Sequence, residues 1–492
     1  MTVKSIAKVA LVLTLVTGVA YAEETEDTAE AAAKPESVAA PLPGIGALNM
    51  DAPPPGIGAP PGAAPMGRVA GEPPTGFQGP LAKVGEALDR AGIELDLTYL
   101  DIYQNAPNFG FAGGSSGNFG AFIAAAKLNL NEHLRFNITE TVNRPVHNVD
   151  NYMFEISNAF FPLPVVDSAT DLTRFTIAVD SPDHRVTVEA GRLPFALDVA
   201  RGKFCSGFGC VNSSKAINLN FPGETLSVWG AKLTYKLDPD TRFNFAIAED
   251  NEENWQNGNG WDWGEGKATG TYLLANLFHD ENPMTTAYPL RYEVGAVYRS
   301  SSYEDALYNS GFGNPGFPVA PTVEEHDGMG MIYGQIRKTV WDQDPLTPAG
   351  QQLAVYGGLF NTVGSGVSYP WEAYAGVEYS GFLPQNPMFT IGTTLHYIQL
   401  SKKRAAYERN ARRFISGIDE SQPRDTFQID LHAWTPIGDS AFIEATAAYI
   451  INPNTTVLSD FSSSRLNDDW VFGINFAWQF GKSLGLTRRG RS

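Results

Sequence analysis

The sequence predicts an all-β protein: a transmembrane antiparallel β-barrel of about sixteen strands, preceded by a short N-terminal helix and a linker rich in proline and alanine. Three observations predict this fold. The last strand alternates large apolar residues with small or polar ones, the chain begins with an export signal, and the connections between strands alternate in length. The composition agrees, because 12% of the residues are aromatic, 49 are glycine and only 18% are charged.

The N-terminal stretch predicts a secretory signal peptide over residues 1–22. Two lysines flank the start of an apolar run over 9–19, and small residues lead to a cleavage site between Ala22 and Glu23. A membrane-anchoring helix would need roughly 18 or more apolar residues, and this run is shorter. The signal predicts Sec-type export, which leaves the periplasm and the outer membrane of a Gram-negative bacterium as destinations.

Residues 23–76 are mostly alanine, proline and glycine. Such a segment cannot bury a core, so a disordered periplasmic linker is expected. Two near-repeats at 43–47 and 55–59 leave a docking role open, although a plain spacer is the simpler interpretation.

Residues 77–92 are expected to form a short amphipathic helix that leads into the first strand. Leu81, Val84 and Leu88 recur at helical spacing, and Gly92 is a suitable residue for the end of a helix.

The barrel is predicted over residues 93–480. Alternation with a period of two predicts strands at 93–103, 119–130, 133–142, 174–181, 184–194, 225–237, 242–249, 270–278, 290–300, 328–340, 351–362, 371–382, 389–400, 425–435, 440–451 and 470–480. The connections alternate between tight turns, such as 131–132 and 182–183, and long loops, such as 143–173 and 195–224. This sorting is typical of outer-membrane barrels, and a soluble sandwich has no reason to show it.

The last predicted strand, 470–480, shows the alternation most clearly. One face would carry a row of large apolar side chains: Trp470, Phe472, Ile474, Phe476, Trp478 and Phe480. Its length matches the roughly 9–11 residues that a tilted strand needs to cross a bilayer. A strand of a soluble sandwich could carry the same pattern, and the export signal favours the membrane. Residues 481–492 continue as a basic C-terminal tail.

The opposite face of the strands would line the lumen, where charges of both signs collect. So many charges indicate a water-filled channel rather than a packed interior. Five of them offer donors and acceptors that suit neutral, hydroxyl-rich solutes and are predicted to line the substrate path: Arg135, Glu189, Arg299, Arg337 and Glu378. For each one, an ordinary solvated lumen charge is an equally good interpretation. Arg192 falls on the lipid-facing parity unless a bulge rotates it, and is left out.

Two external loops carry further candidates. Cys205 and Cys210 are expected to form a small-loop disulfide, because export exposes close cysteine pairs to oxidation. No histidine lies nearby in sequence, so no metal site is predicted. The loop after residue 249 concentrates Trp255, Trp261 and Trp263 among carboxylates and amides, a combination that suits stacking on sugars. Anchoring at the membrane interface is the alternative for these tryptophans.

The opening helix and three later strands resemble a known family. The segments 79–95 (GPLAKVGEALDRAGIEL), 290–295 (LRYEVG), 449–453 (YIINP) and 471–476 (VFGINF) are similar to the carbohydrate-selective porins of the OprB family, and the likeness spans roughly 77–480. It implies a barrel of about sixteen strands that passes sugars down their gradient. In porins the third external loop, here 195–224, often folds inward and narrows the pore. The tail beyond residue 480 departs from the usual ending of such barrels.

Other classes of function find less support. The formal net charge of -19 argues against nucleic acid as a partner. No catalysis and no cofactor are expected, because none of the seven histidines lies in a nucleophile or metal-hydrolase motif. His396 and His432 share the lumen parity and are expected to be solvated lumen groups.

The sequence therefore predicts an outer-membrane porin for passive, selective diffusion of small carbohydrates into the periplasm. A general or organic-anion porin of the same architecture is one alternative, and a structural barrel tethered to the cell wall through its linker is another. The expected partners are small carbohydrates, outer-membrane lipid and, through the linker, peptidoglycan. A monomer and a homotrimer both remain open.

Overall fold

A computed structural model of the chain describes residues 76–108, 115–147, 169–195, 204–205, 218–219, 227–251, 261, 267–282, 286–308, 323–343, 351–420, 423–453 and 467–489. Within these residues, each strand pairs with its sequence neighbours and the first pairs with the last, which closes one antiparallel barrel. The predicted signal peptide and almost all of the predicted linker lie outside the described residues.

The barrel has sixteen strands: β1 (Ile93–Ala106), β2 (Ser115–Asn129), β3 (Leu134–His147), β4 (Ala169–Asp180), β5 (Val186–Leu193), β6 (Val228–Lys236), β7 (Thr241–Asp250), β8 (Gly270–Asp280), β9 (Leu290–Glu304), β10 (Glu325–Asp342), β11 (Gln352–Val363), β12 (Trp371–Ser380), β13 (Thr390–Gln399), β14 (Asp425–Ile437), β15 (Ala441–Ile451) and β16 (Asp469–Trp478). Each predicted strand overlaps one of these. The predicted fold class and strand order are confirmed.

The two ends of the barrel are joined differently. At one end, called the turn end here, the predicted tight turns fall at 130–133, 181–185 and 237–240. Aspartate side chains hold such turns: Asp238 accepts hydrogen bonds from the backbone N–H groups of Asp240, at 2.9 Å, and Thr241, at 2.7 Å. The opposite end, which carries the long connections, is called the loop end.

The outward face of β16 has the predicted alternation, because Phe472 and Ile474 are 43% and 46% exposed on the bare barrel. Lipid is the expected neighbour of such side chains. The predicted end of this strand was wrong: β16 stops at Trp478, and Phe480 begins a helix. The ring of Phe480 stacks on that of Phe122, with centroids 5.0 Å apart, so the residue keeps an aromatic contact although its backbone has left the sheet.

Three complete helices fall within the residues that the structure describes: α1 (Ala82–Arg90), α2 (Lys402–Ser416) and α3 (Phe480–Leu484). Helix α1 confirms the predicted opening helix, and Gly92 follows it with a φ of 78°. Leu88 packs on the apolar cluster around Ile93, whereas Leu81 and Val84 remain 39% and 47% exposed. Among the described residues, no helix has the length and apolar character needed to cross a bilayer.

The C-terminal tail lies along the first strand. The β1–β16 pairs run only from Tyr99 to Asn105, which leaves the first part of β1 without β16 beside it. The tail borders this part, and the Thr487 hydroxyl donates a 2.7 Å hydrogen bond to the backbone oxygen of Leu95. Residues beyond the last strand therefore help to close the barrel at the turn end.

The tail also contacts the segment before β1, and we call residues 76–85 with 481–489 the terminal clasp. Gly76 and Arg489 exchange two backbone hydrogen bonds, of 3.2 and 2.8 Å. Gly85 of α1 lies directly against the backbone of Gly485, where a Cβ would collide with the Gly485 oxygen. The Arg489 guanidinium forms a 2.7 Å ion pair with Asp439, in the turn between β14 and β15. The clasp thus joins both ends of the described chain.

Candidate functional site: the inner wall of the barrel

The five residues predicted to line the substrate path all lie on inward-facing positions of the strands. Glu189, Arg299, Arg337 and Glu378 are buried, and Arg135 is partly exposed. Each has an oppositely charged partner within the described residues. The alternative interpretation, an ordinary solvated lumen charge, does not fit the four buried residues, because the inner wall neutralises these charges in pairs and clusters. Their place along a substrate path stays a prediction.

Arg135 lies near the turn end. Its guanidinium pairs with Asp180 on β4, and the Thr187 hydroxyl of β5 donates to the same carboxylate. Lys127 and Glu94 form a looser pair at 3.6 Å on β2 and β1, with side chains 41% and 35% exposed. The inner wall is accordingly open to water at the turn end, where a charged side chain loses little hydration free energy.

Glu189 is the centre of a second group, called the Glu189 cluster. Arg174 reaches one carboxylate oxygen at 3.1 Å, and Lys232 reaches the other at 3.3 Å. The Thr176 hydroxyl and the Asn137 amide also donate to Glu189. Adjacent strands β3 to β6 supply these side chains, and the alternating sheet brings them together on one face. Two cations and two neutral donors satisfy one buried carboxylate.

Arg337 and Glu378 are brought together by the structure, with Nη2 2.6 Å from Oε2. The second carboxylate oxygen of Glu378 lies 3.3 Å from Nε2 of His432, whose Nδ1 lies 3.2 Å from Asp430. The fifth predicted residue, Arg299, pairs instead with Asp250 of β7. Opposite charges thus alternate along the inner wall from β10 to β14.

The prediction that His396 and His432 are solvated lumen groups was wrong. Both are buried, at 0% and 4% exposure. His432 lies between two carboxylates, and the ring of His396 stacks on that of Tyr374 with centroids 5.9 Å apart. These rings are part of the wall rather than free groups in a water channel.

The inner wall also carries aromatic residues that the sequence analysis did not single out. We call Tyr333, Tyr356, Phe360 and Tyr374 the aromatic seat. Their rings lie side by side on β10 to β12, with centroids 5.8 Å apart for Tyr333 and Phe360 and 6.4 Å for Phe360 and Tyr374. The available signal was an aromatic residue on the lumen parity of three successive strands, where polar residues are usual.

The aromatic seat is covered by the long connection between β5 and β6. Its described residues Phe195, Cys205 and Leu219 belong to the same apolar cluster as Tyr333 and Tyr374. This connection therefore contacts the inner wall, as the predicted inward fold requires. Cys205 is buried, and Cys210 lies outside the described residues, so the disulfide stays a prediction.

The predicted sugar-stacking tryptophans are described only in part. Trp255 and Trp263 lie outside the described residues. The Trp261 indole donates to the Glu140 carboxylate at 3.0 Å and packs against an apolar cluster that includes Leu172. Glu140 alternates with inward Thr139 and Thr141 and so faces outward, which places Trp261 on the outer side of the wall.

Arg192, left out of the predicted path, has outward neighbours. It is paired in register with Phe175 and Trp229, and its guanidinium lies 5.7 Å from the Trp229 ring centroid. It is only 1% exposed, because it donates to the backbone oxygen of Ser227 and forms a 3.4 Å pair with Glu249.

A further charged cluster stands at the loop end. Asp305, which follows β9, contacts the Lys403 ammonium of α2 and Nε2 of His326, at 2.8 Å for the histidine. Ligand atoms of Asp305, Glu324 and His326 lie within 4.8 Å of one another, a spacing that a divalent cation could use. Because Lys403 already supplies a positive charge to Asp305, we assign the cluster a structural role.

Comparison with known proteins agrees with this architecture. A family model described as carbohydrate-selective porin, OprB family, matches residues 123–480, more than half of the chain. No curated protein sequence matches this chain significantly.

One solved structure supports the same fold. The chain is similar to the high-pH structure of Pseudomonas putida OprB, with a TM-score of 0.69 at 15% identity, over 83% of this chain and 99% of that one. Pseudomonas aeruginosa OccK1 (OpdK) gives a TM-score of 0.41 at 9% identity, over 78% of this chain and 98% of that one. The family match decides the identity: the chain belongs to the OprB family of carbohydrate-selective porins, in the outer membrane of Gram-negative bacteria.

Proposed function

We propose that the barrel allows passive, selective diffusion of small carbohydrates into the periplasm along its inner wall. The observation that carries the proposal is the pairing of the inward charges. Arg337 with Glu378, Arg299 with Asp250, and Glu189 with its two cations leave hydrogen-bonding groups but little unbalanced charge. Such a surface favours neutral polyols over ions, since selectivity depends on the charge and hydrogen-bonding groups along a pore.

The finer assignments are proposals as well. Arg135, Glu189, Arg299, Arg337 and Glu378 would border the path, and Trp255 and Trp263 would offer flat faces to sugars outside the barrel. The geometry of Trp261 favours its alternative role as an anchor, because Glu140 already uses its N–H group. Cleavage after Ala22, a disulfide between Cys205 and Cys210, and the absence of catalysis complete the proposal.

The test is single-channel conductance of the refolded protein in a planar bilayer, titrated with glucose and separately with an organic acid. We expect a saturable block of the current by millimolar glucose and a weaker effect of the acid. A conductance that glucose leaves unchanged would contradict sugar selectivity and favour a general porin. Block by the organic acid alone would favour the organic-anion alternative.

A tether to the cell wall is a second candidate function, favoured by one observation. The terminal clasp holds Gly76 at the turn end. Because outer-membrane barrels place their short turns in the periplasm, the linker would leave the barrel on that side. We expect the full chain to co-purify with peptidoglycan and a variant lacking 23–75 to lose this association. Equal association of both proteins would exclude the tether.

A further inference from the structure

One residue of the connection between β5 and β6 is held by both of its backbone groups. The N–H of Phe204 donates a 2.8 Å hydrogen bond to the Tyr374 hydroxyl. The Phe204 backbone oxygen accepts a 3.4 Å hydrogen bond from Arg337. Its ring lies 4.4 Å below the Arg291 guanidinium, a cation–π distance. Three wall residues on different strands therefore fix the position of Phe204.

The Tyr374 hydroxyl is itself fixed by the wall. It donates to Oε1 of Gln335 at 2.9 Å, while Nε2 of Gln335 donates to Glu293 at 2.9 Å. Phe360 and His396 stack on the Tyr374 ring. The hydroxyl can thus accept from Phe204 in only one orientation, because its own proton is committed to Gln335.

A second residue of the same connection is held in the same manner. The Asn218 side chain donates a 2.6 Å hydrogen bond to the Tyr369 backbone oxygen and accepts a 3.0 Å one from the Tyr369 N–H. It also donates to the Thr362 hydroxyl at 2.9 Å. The next residue, Leu219, accepts a 3.0 Å hydrogen bond from the Tyr272 hydroxyl.

We propose that Tyr374 and Asn218 are positioning residues that hold the described residues 204–205 and 218–219 of this connection against one side of the inner wall and so limit the free width of the pore beside them. The inference rests on the proposed function, because a fixed width can select among sugars only if sugars pass. Neither residue needs to touch the solute. Tyr374 acts through Phe204, whose N–H donates to its hydroxyl, and Asn218 through the next residue, Leu219. Cys205 and Leu219 belong to the same apolar cluster as the aromatic seat.

The experiment compares Tyr374→Phe and Asn218→Ala with the wild-type protein in planar bilayers. Each substitution removes hydrogen bonds, while Tyr374→Phe keeps the stacked ring. We expect the distribution of single-channel conductances in potassium chloride to broaden and its mean to rise. The glucose concentration for half-maximal block should rise by up to about five-fold, the largest shift that destabilising the fixed position by roughly one net hydrogen bond can produce. Heat-modified mobility on gels should stay unchanged, since the strand pairs remain.

Tyr379→Phe is the matched control. Tyr379 lies on the same strand, faces outward and donates through its hydroxyl to Gln351. The conductance of the Tyr379→Phe variant should equal that of the wild type. Wild-type conductance in both Tyr374→Phe and Asn218→Ala would overturn the proposal.

The salt conductance and the sugar block separate the two claims. If glucose fails to block the wild-type channel but the conductances of the two variants still broaden, sugar selectivity is wrong and the positioning role stands. If glucose blocks all three proteins at one concentration and their conductances agree, the proposed function stands and the positioning role is wrong.

Discussion

Two regions of the inner wall use their side chains in different ways. In the Glu189 cluster, charged groups of adjacent strands satisfy one another, and the donors to the carboxylate among the described residues belong to the wall itself. In the aromatic seat, the wall residues face a connection that folds onto them, and the Tyr374 hydroxyl accepts from a residue 170 positions away. We therefore expect the first region to contribute to the stability of the barrel and the second to act on the connection inside it.

This difference separates two measurable properties. Removing the charge of Glu189 should affect the free energy of unfolding, because two buried cations lose their carboxylate partner. Changing the aromatic seat should affect conductance, because the seat contacts the connection inside the barrel. It should leave the free energy of unfolding nearly unchanged, because the strands keep their own hydrogen bonds. The predictions below test this separation.

The largest effect is expected for Glu189→Gln. The change leaves Arg174 and Lys232 buried without the carboxylate that neutralises them, and should lower the free energy of unfolding by about 3 kcal/mol. Urea unfolding in detergent, followed by tryptophan fluorescence, measures it. The control is Glu94→Gln, whose partner Lys127 is exposed and whose loss should cost below about 0.5 kcal/mol. Equal losses in the two variants would contradict the first half of the comparison.

Arg337→Met is the variant that should change both the free energy of unfolding and the conductance. Arg337 both neutralises Glu378 and donates to Phe204, so it belongs to the wall and to the covering connection. We expect a loss of about 2 kcal/mol of stability together with a higher mean conductance. A change in only one of these properties would mean that Arg337 serves only one of the two partners.

An acid titration extends the comparison to the loop end. Burial alone would raise the pKa of Asp305, but hydrogen bonds from His326, Lys403 and two backbone N–H groups outweigh it and lower the pKa to about 2. The folded pKa of Asp305 lies below the unfolded value of about 4. The contribution of the Asp305 carboxylate to the stability of the folded loop end is therefore complete above about pH 5 and is lost as the pH falls through about 2.

Loss of the Asp305 contacts should let the loop end move more, and we expect this movement to appear as noise in the single-channel current. The noise should stay constant from neutral pH to about pH 5 and increase below about pH 4. Asp305→Asn, which cannot change its charge, should show a higher noise with less dependence on pH over this range. An identical pH dependence in both proteins would assign the titration to another group.

The smallest effect is expected for Trp261→Phe. This variant keeps an aromatic ring on the outer apolar cluster and loses the hydrogen bond to Glu140, at a cost of about 1 kcal/mol. Conductance and the glucose block should not change, because Trp261 lies outside the lumen. A changed glucose block would support the original sugar-stacking role.

Most of the barrel could be predicted from the sequence because strands follow a local rule. Alternation identified the strands and placed residues such as Glu189 and Arg337 on the inward face. Their partners were harder to predict, since pairing depends on the register between strands, which a single sequence does not display. The expectation of solvated charges therefore failed for His432, which lies between Glu378 of β12, two strands away, and Asp430 of its own strand β14.

The parts that could not be predicted depend on distant contacts. Nothing near Phe204 in sequence indicates that Tyr374 and Arg337 hold its backbone. The end of β16 was placed two residues too late, because Phe480 continues the aromatic period while its backbone turns into α3. The clasp that follows depends on close contact between α1 and the tail, at Gly85 and Gly485, and no periodicity reports such contact.

The terminal clasp should allow the order of strands along the chain to be shifted cyclically without changing which strands pair. Because Gly76 and Arg489 already exchange backbone hydrogen bonds, a short peptide could join them, and new termini could be opened in the exposed turn at Asp183. Such a circular permutant would keep every strand neighbour, yet its synthesis would begin with the present β5 and end with β4. The sheet of this porin is thus a closed ring, and its strand pairs do not require β1 to be synthesised first.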